Sequence, residues 1–223
     1  MSAVNFKIAE QELQNIIDLY EGRKHPQTRE IQKLTRGKLY EFFVLGEVLK
    51  ELRHRGYRIS LQGTVLTLKQ GPGKIKLSDT HFIAHSPRTE AKFRICTDIE
   101  VKTLGSTLNP SSGLCSYHEI DIVVVDYNAT GRPSYDQLAL GVECKSTDKF
   151  TKSLLKEALG IKREISLLAS EETSVLAREV GASTPKVPSR PPLEYWVAFC
   201  DPNGLQYQQS PRTFGIVFKH WQP

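Results

Sequence analysis

The sequence predicts an α/β protein, a three-layer sandwich in which helices flank a central mixed β-sheet. Two segments with helical periodicity come first, several strand-like runs follow, and a third helical segment precedes two final strand-like runs. Helices placed before and between strands are typical of a sheet covered on both faces. The 223 residues are enough to build one substantial core.

Helical periodicity marks three segments. The first runs from Phe6 to about Tyr20, and the second, stronger one from about Thr28 to Arg55. Gly56 follows directly and is typical of a helix C-terminal cap. The third segment covers about Lys149 to Ala169.

A break at residues 22–26, which contains glycine and proline, separates the first helix from the rest. The chain therefore divides into an N-terminal helical extension, residues 1–27, and a main domain, residues 28–223. Within that domain, the proline-rich residues 183–192 predict an extended linker.

Alternating and apolar runs predict the strands of the sheet. They are a hairpin region from Tyr57 to Leu68 with a turn at 71–73, and strands at Phe93–Val101, Tyr117–Asp126, Leu138–Lys145, Glu194–Cys200 and Thr213–His220. The short connection between the strands that end at Asp126 and Lys145 favours antiparallel pairing. The passage from strand through helix to strand between Leu138 and Cys200 allows a parallel pair with a right-handed crossover. Residues 104–116, rich in Gly, Ser, Asn and Pro, predict a loop.

The composition limits the class of protein. The net charge is +5 and the pI is near 9.0, which mildly favours an acidic partner such as nucleic acid. The four cysteines are scattered without zinc-site spacing, so we expect no structural zinc and a reducing compartment. No apolar segment approaches the ~20 residues of a membrane span, and the N-terminus lacks the apolar core of a signal peptide. We therefore expect a cytoplasmic protein without membrane association.

Three charged residues lie inside apolar, strand-like runs. Asp121 is in one run, and Glu143 and Lys145 are two positions apart in the next, so these two project from the same face. Burying a charge in such a run is costly unless something compensates it. A divalent cation compensates clustered carboxylates, and two acids with one ammonium can form a hydrolytic metal site. The leading interpretation is a metal-dependent phosphodiesterase.

One acid of the second predicted helix lies on its apolar stripe. At ~100° per residue, Glu41 projects along the same line as three apolar residues, Leu45, Val48 and Leu52. Glu47 instead points to a more polar side, and we expect it to be solvated. Glu41 is the better candidate for the site. The alternatives are that it reaches solvent from the edge of the stripe or pairs with a buried arginine.

Two neighbours of Asp121 have more than one interpretation. Glu119 lies on the same strand face and offers a ligand for a second metal ion, but an acid at the wet end of the strand is the favoured interpretation. His118 faces the other way. We expect it to be a surface or hydrogen-bonding residue rather than a general base.

The acid on one strand, the Glu-x-Lys on the next and the helix with an inward glutamate resemble the PD-(D/E)XK nuclease superfamily. The resemblance extends from about Gly37 to Cys200 and implies the restriction-endonuclease-like fold. Glu-x-Lys is a weak signal alone, and its context in two adjacent apolar runs strengthens it. Two features depart from the family pattern. Ile120 stands at the proline position, and the Gln-x-x-x-Tyr signature of a RecB-like branch is absent after Lys145.

The resemblance implies a role for each matching residue. Asp121 and Glu143 would be the metal-ligating acids, with the backbone carbonyl of Cys144 as a further ligand. Lys145 would orient or activate the attacking water, either with a lowered pKa or as a charged group that stabilises negative charge. Glu41 would act on the metal directly or through water. The implied cofactor is Mg²⁺, which prefers oxygen ligands, and Mn²⁺ can substitute for it.

Basic residues at the start of the third predicted helix are candidates for contacts with nucleic acid. Lys149 and Lys152 follow the site in sequence, and a helix N-terminus favours anions, although a solvated helix face explains them equally well. The resemblance favours a nuclease acting on DNA, as the effector of a defence or repair system. The alternative is a catalytically inactive subunit that keeps the fold and binds nucleic acid or a partner protein. The first helix has two equal interpretations: it supports a homodimer, or it packs on the core of its own chain.

Overall fold

A seven-stranded mixed β-sheet forms the centre of the fold. The structure is a computed structural model and describes residues 5–21, 31, 33–66, 75–108, 116–147, 149–166 and 193–223. The strands are β1 (Arg58–Gln62), β2 (His81–His85), β3 (Lys92–Lys102), β4 (Tyr117–Asp126), β5 (Leu138–Lys145), β6 (Glu194–Phe199) and β7 (Ile216–His220). They lie side by side in chain order.

The strand direction changes within the sheet. β1 to β5 pair antiparallel, each with the next, while β5, β6 and β7 run parallel. The predicted antiparallel pairing of β4 with β5 and the parallel pairing of β5 with β6 are confirmed. β4 and β5 also have the predicted bounds, because each is a continuous run of strand-forming residues that ends in a charged side chain.

The described residues form five α-helices, of which α3 and α5 are short. They are α1 (Phe6–Glu21), α2 (Arg36–His54), α3 (Leu104–Leu108), α4 (Lys152–Glu164) and α5 (Gln209–Arg212), with 3-10 helices at Tyr135–Gln137 and Pro202–Tyr207. Within the described part of the chain, no helix combines the length and the apolar composition that a membrane crossing requires.

Two helices begin later than predicted because a threonine caps each of them. α2 begins directly after Thr35 rather than near residue 28, since the Thr35 hydroxyl oxygen accepts a hydrogen bond from the Lys38 N–H. α4 likewise begins directly after its N-cap, Thr151, rather than at Lys149.

The end of α2 is the one that the sequence predicts. Gly56 has a φ of 91°, in the left-handed region that favours glycine. Its N–H donates to the Arg53 carbonyl, and the Tyr57 N–H donates to the Leu52 carbonyl. This pair of bonds is the Schellman motif, which ends a helix and turns the chain toward β1.

Some predicted features differ or lie outside the described residues. The predicted loop over residues 104–116 begins instead with α3. Residues 202–212, which carried no helix prediction, form a 3-10 helix followed by α5. The predicted break at 22–26, turn at 71–73 and linker at 183–192 lie outside the described residues.

Helices cover both faces of the sheet. α1 and α2 pack on one face, the α2 face, where Ile122 and Val124 of β4 belong to the core. On the opposite face, the α4 face, Val123 and Val125 share a core with Ala158 of α4. Because side chains alternate along a strand, consecutive residues of β4 contribute to the two cores. This arrangement is compatible with the predicted three-layer sandwich.

Candidate functional site

The candidate site lies where the pairing of β4 with β5 ends. The last paired residue of β5 at this end is Val142. Beyond it, the Asp121 carboxylate accepts a hydrogen bond from the Cys144 N–H, with 2.6 Å between Oδ2 and N. Burial raises the pKa of Asp121, although the Cys144 N–H and the positive charge of Lys145 oppose that rise. The structure thus brings Asp121 to the strand that carries Glu-x-Lys.

Glu143 is a buried acid with an incomplete set of hydrogen bonds. Only 5% of the residue is exposed. Its Oε2 accepts a hydrogen bond from Lys145 Nζ at 3.1 Å, while its Oε1 has no partner among the described residues. The Tyr195 hydroxyl lies close by without completing a hydrogen bond. Burial raises the pKa of Glu143 to about 8, the charge of Asp121 adds to the rise, and Lys145 opposes it.

Lys145 lies between two carboxylates. Its Nζ is 3.1 Å from Glu143 and 2.9 Å from Glu157, a residue of α4 that we had not predicted for the site. Burial lowers the pKa of Lys145, but the two carboxylates outweigh that effect and raise it. Lys145 is therefore a charged ammonium in this arrangement. Of its two predicted roles, the stabilisation of negative charge is the one that this geometry favours.

Glu41 of α2 approaches Asp121 from the helix layer. Burial raises the pKa of Glu41 to about 7, the charge of Asp121 adds to the rise, and Lys38 opposes it through a hydrogen bond and its charge. The basic partner of Glu41 is thus a lysine one turn earlier in α2, rather than an arginine. Glu47 lies apart from this cluster. It is half-buried rather than fully solvated, and it pairs with Lys50 at 2.9 Å.

Asp98 is a further acid of the site, and our sequence analysis did not identify it. Carboxylate oxygens of Glu41, Asp98 and Asp121 all lie within 4.8 Å of one another. Asp98 is 8% exposed, and its Oδ1 accepts a hydrogen bond from Lys38 Nζ at 2.7 Å. The signal was present, because Asp98 interrupts an apolar strand-like run just as Asp121 does. The same rule applied to every such run would have found it.

A reversal of the strand places Asp98 in the cluster. Ile95 packs in the core of the α2 face, whereas Ile99 packs in the core of the α4 face, although regular alternation would give both the same face. Asp98 lies between them with a φ of 54°. A left-handed conformation costs an L-residue about 1–2 kcal/mol. The cluster therefore includes an acid on a locally strained backbone.

The remaining predicted residues lie around this cluster. Glu119 is exposed, as expected for the wet end of β4, and burial and the charge of Asp98 raise its pKa. His118 is a hydrogen-bonding residue, with Nε2 2.7 Å from Glu164 of α4. Lys149 and Lys152 are both exposed at the start of α4.

The segment that carries Lys149 is fixed by its neighbour. The Phe150 N–H donates to Asp201 Oδ2 at 2.8 Å. The Phe150 ring packs against Phe199, Tyr207 and Phe218, with ring centroids 5.0 to 5.6 Å apart. The backbone before α4 is therefore anchored to the core, and the lysines extend from it.

Comparison of the chain with protein-family models, with curated proteins and with solved structures found no match.

Proposed function

We propose that this chain is a metal-dependent nuclease of the PD-(D/E)XK superfamily that hydrolyses phosphodiester bonds of nucleic acid, with DNA as the favoured substrate. The observation that carries the proposal is the state of Glu143. This acid is buried beside Asp121, has one carboxylate oxygen without a partner, and shares its other oxygen with Lys145. Buried acids of this kind are stable when a cation compensates their charge.

The donor set fits a hard divalent cation. Asp121 and Glu143 provide carboxylate oxygens from two neighbouring strands, β4 and β5. Asp121 also belongs to the group formed with Glu41 and Asp98, whose oxygens lie within 4.8 Å of one another and which does not include Glu143. Mg²⁺ prefers such ligands and retains several of its waters, so it needs only one or two carboxylates. Asp121 and Glu143 would hold it, with Glu41 acting directly or through water and the Cys144 carbonyl as the predicted fourth ligand. When bound, the ion would polarise the phosphoryl group and lower the pKa of a water.

The residues of the chain divide the remaining work. Lys145, kept charged by Glu143 and Glu157, stabilises the negative charge that develops on the phosphoryl oxygens. Glu157 is 48% exposed and keeps Lys145 oriented toward the site from α4. Lys149 and Lys152 extend from a segment that Asp201 anchors just after β6, and from there they would contact phosphates of the substrate.

The substrate is inferred from the charge of the chain. The net charge of +5 favours a polyanion. We propose a cytoplasmic DNA nuclease that serves a defence or repair system. The fold alone does not determine that setting, since this type of fold serves many functions.

Cleavage assays test the proposal directly. The chain is incubated with supercoiled plasmid, linear duplex, single-stranded DNA and RNA in Mg²⁺, in Mn²⁺ and in EDTA. We expect cleavage of DNA with either ion and none in EDTA. Lys145→Met should lower the rate about 10²- to 10³-fold, because it removes a charge that acts on the transition state. The matched control is Lys156→Met, an exposed lysine of α4 that should retain the wild-type rate.

Two outcomes would contradict the proposal. Activity that survives EDTA would exclude the metal ion from the mechanism. Equal activity of the wild type and Lys145→Met would exclude Lys145 from it. Binding of DNA without cleavage under any of these conditions would favour the alternative, a catalytically inactive subunit of the same fold.

A further inference from the structure

The ammonium of Lys38 lies among the carboxylates of the site. It bonds to Glu41 and, at 2.7 Å, to Asp98, and only 12% of its side chain is exposed. A second cationic side chain, in addition to Lys145, therefore belongs to this site.

Asp98 determines where that ammonium lies. The carboxylate is brought to the α2 face by the strand reversal at Asp98 itself, with its left-handed φ of 54°. A strained backbone conformation of this kind persists only where surrounding interactions hold it in place. The hydrogen bond from Lys38 to Asp98 is one of those interactions. In a regular strand Asp98 would point to the α4 face, away from Lys38 and Glu41.

We propose that Lys38, positioned by Asp98, is the built-in cation of the Glu41–Asp98–Asp121 cluster, so that the site takes one divalent ion, at Asp121 and Glu143, and not two. This rests on the proposed function. The three acids of the cluster resemble a second ion site in their spacing. The ammonium, however, engages the oxygens of Glu41 and Asp98 that a second ion would need. The site would therefore contain one divalent metal ion and, in the place of a second, the ammonium group of Lys38.

Counting bound Mn²⁺ tests this assignment without measuring activity. The full chain is titrated with Mn²⁺ by calorimetry, with and without a short phosphorothioate duplex that resists cleavage, and the spectrum is followed by electron paramagnetic resonance. We expect one ion per wild-type chain. Lys38→Met should bind two, and the second should produce the signal of a coupled pair, since ions in two-metal sites lie about 3.5–4 Å apart.

Three variants make the count specific. Lys38→Arg keeps the charge and should bind one ion. Lys50→Met removes an ammonium from the same helix that also bridges two acids, Glu12 and Glu47, but is 49% exposed, and it should bind one ion. The double variant Lys38→Met with Asp98→Asn should return to one ion, because the vacated position has lost a carboxylate. Lys38→Gln replaces Lys38→Met if the latter does not fold.

Each outcome decides the matter. Two ions on the wild type, or one ion on a folded Lys38→Met and Lys38→Gln, overturns the role of Lys38 and leaves the nuclease proposal intact. No ion on the wild type, even with the duplex, overturns the nuclease proposal and this inference with it.

Discussion

Glu143 and Asp201 are both buried acids, and their surroundings differ sharply. Asp201, at the end of β6, is 7% exposed and Glu143 is 5% exposed. The Asp201 carboxylate accepts hydrogen bonds from the Phe150 N–H, the Asn203 N–H and the Asn203 side-chain amide at 2.8 to 3.0 Å. Those bonds lower the pKa of Asp201, and the bond from the Phe150 N–H has the largest effect. Glu143 has Lys145 on one oxygen and no partner among the described residues on the other.

The comparison shows that burial alone does not mark a functional acid. Asp201 is a structural residue, because its ionised form is satisfied by donors from the protein, and it ties the start of α4 to the end of β6. Glu143 is in a different condition, since Lys145 donates to only one of its oxygens, the other has no partner among the described residues, and the charge of a second acid, Asp121, adds to the rise of its pKa. An acid that the protein leaves unsatisfied is the one that is available to a cation.

The largest expected effect concerns activity. Glu143→Gln should lower DNA cleavage by about 10³-fold or more, because it removes a charge on which the site depends, while the fold persists. Asp201→Asn should lower the melting temperature and have much less effect on cleavage at a temperature where the protein is folded. Cleavage rates and thermal melts of the two variants measure the contrast. Equal losses of activity in Glu143→Gln and Asp201→Asn would contradict the assignment of Glu143 as a functional acid and Asp201 as a structural one.

Glu41 tests whether the contrast extends to a third acid. It has one strong partner, Lys38, and an elevated pKa, so it is intermediate between the other two. Glu41→Gln should lower cleavage about 10- to 100-fold, as expected for a group that acts on the ion through water. Glu47→Gln on the same helix is the matched control and should cleave like the wild type. A Glu41→Gln enzyme with full activity would exclude Glu41 from the site.

The pH dependence of stability should have opposite signs for the two acids. The pKa of Glu143 is raised from 4.5 to about 8, so its contribution is present at low pH and is lost as the pH rises through about 8. In EDTA, the melting temperature of the wild type should therefore fall between about pH 5 and 9. Glu143→Gln should flatten this fall, and Mg²⁺ should reverse it in the wild type only.

At low pH, the lowered pKa of Asp201 makes stability fall as the pH falls, opposite to the effect of Glu143. Its contribution is present above the ordinary value of 3.8 and is lost as the pH falls below it. Asp201→Asn should flatten that acid loss and leave the alkaline fall unchanged. Thermal melts over the full pH range measure both limbs. An alkaline fall of equal size in Glu143→Gln and the wild type would contradict the sign assigned to Glu143.

The smallest effects are expected from the exposed lysines. Lys149→Ala and Lys152→Ala should each weaken DNA binding by a few-fold and lower the salt slope of the binding constant by about one. Lys156→Ala, an exposed lysine further along α4, serves as the comparison. If binding depends on salt equally in all three variants, Lys149 and Lys152 are ordinary solvated residues of a helix face and do not contact phosphates.

Much of the fold could be predicted because it follows from local patterns. The apolar runs gave the bounds of β4 and β5, and glycine after α2 gave its end. The predicted start of α2 was wrong, because the pattern of apolar residues continues on the N-terminal side of Thr35, the residue that caps the helix. The connection from α4 to β6 lies partly outside the described residues, yet the parallel pairing that it predicts is present.

The site was predictable to the extent that its residues stand out in their own segments. Asp121, Glu143 and Lys145 interrupt apolar strands, and Glu41 interrupts an apolar stripe. Lys38 does not stand out, because a lysine in the first turn of a helix is usually solvated. Its position depends on Asp98, sixty residues away in sequence, and on a reversal of β3 that no local pattern announces.

The sequence by itself determined the bounds of β4 and β5, the end of α2 and the four polar residues that lie where apolar ones are expected, because those properties depend on patterns within one segment. The tertiary structure alone decided which carboxylates meet, which of them the protein satisfies, and that Lys38 lies between Glu41 and Asp98. Those properties depend on distances between separate segments and on burial, and electrostatic energies change steeply with both.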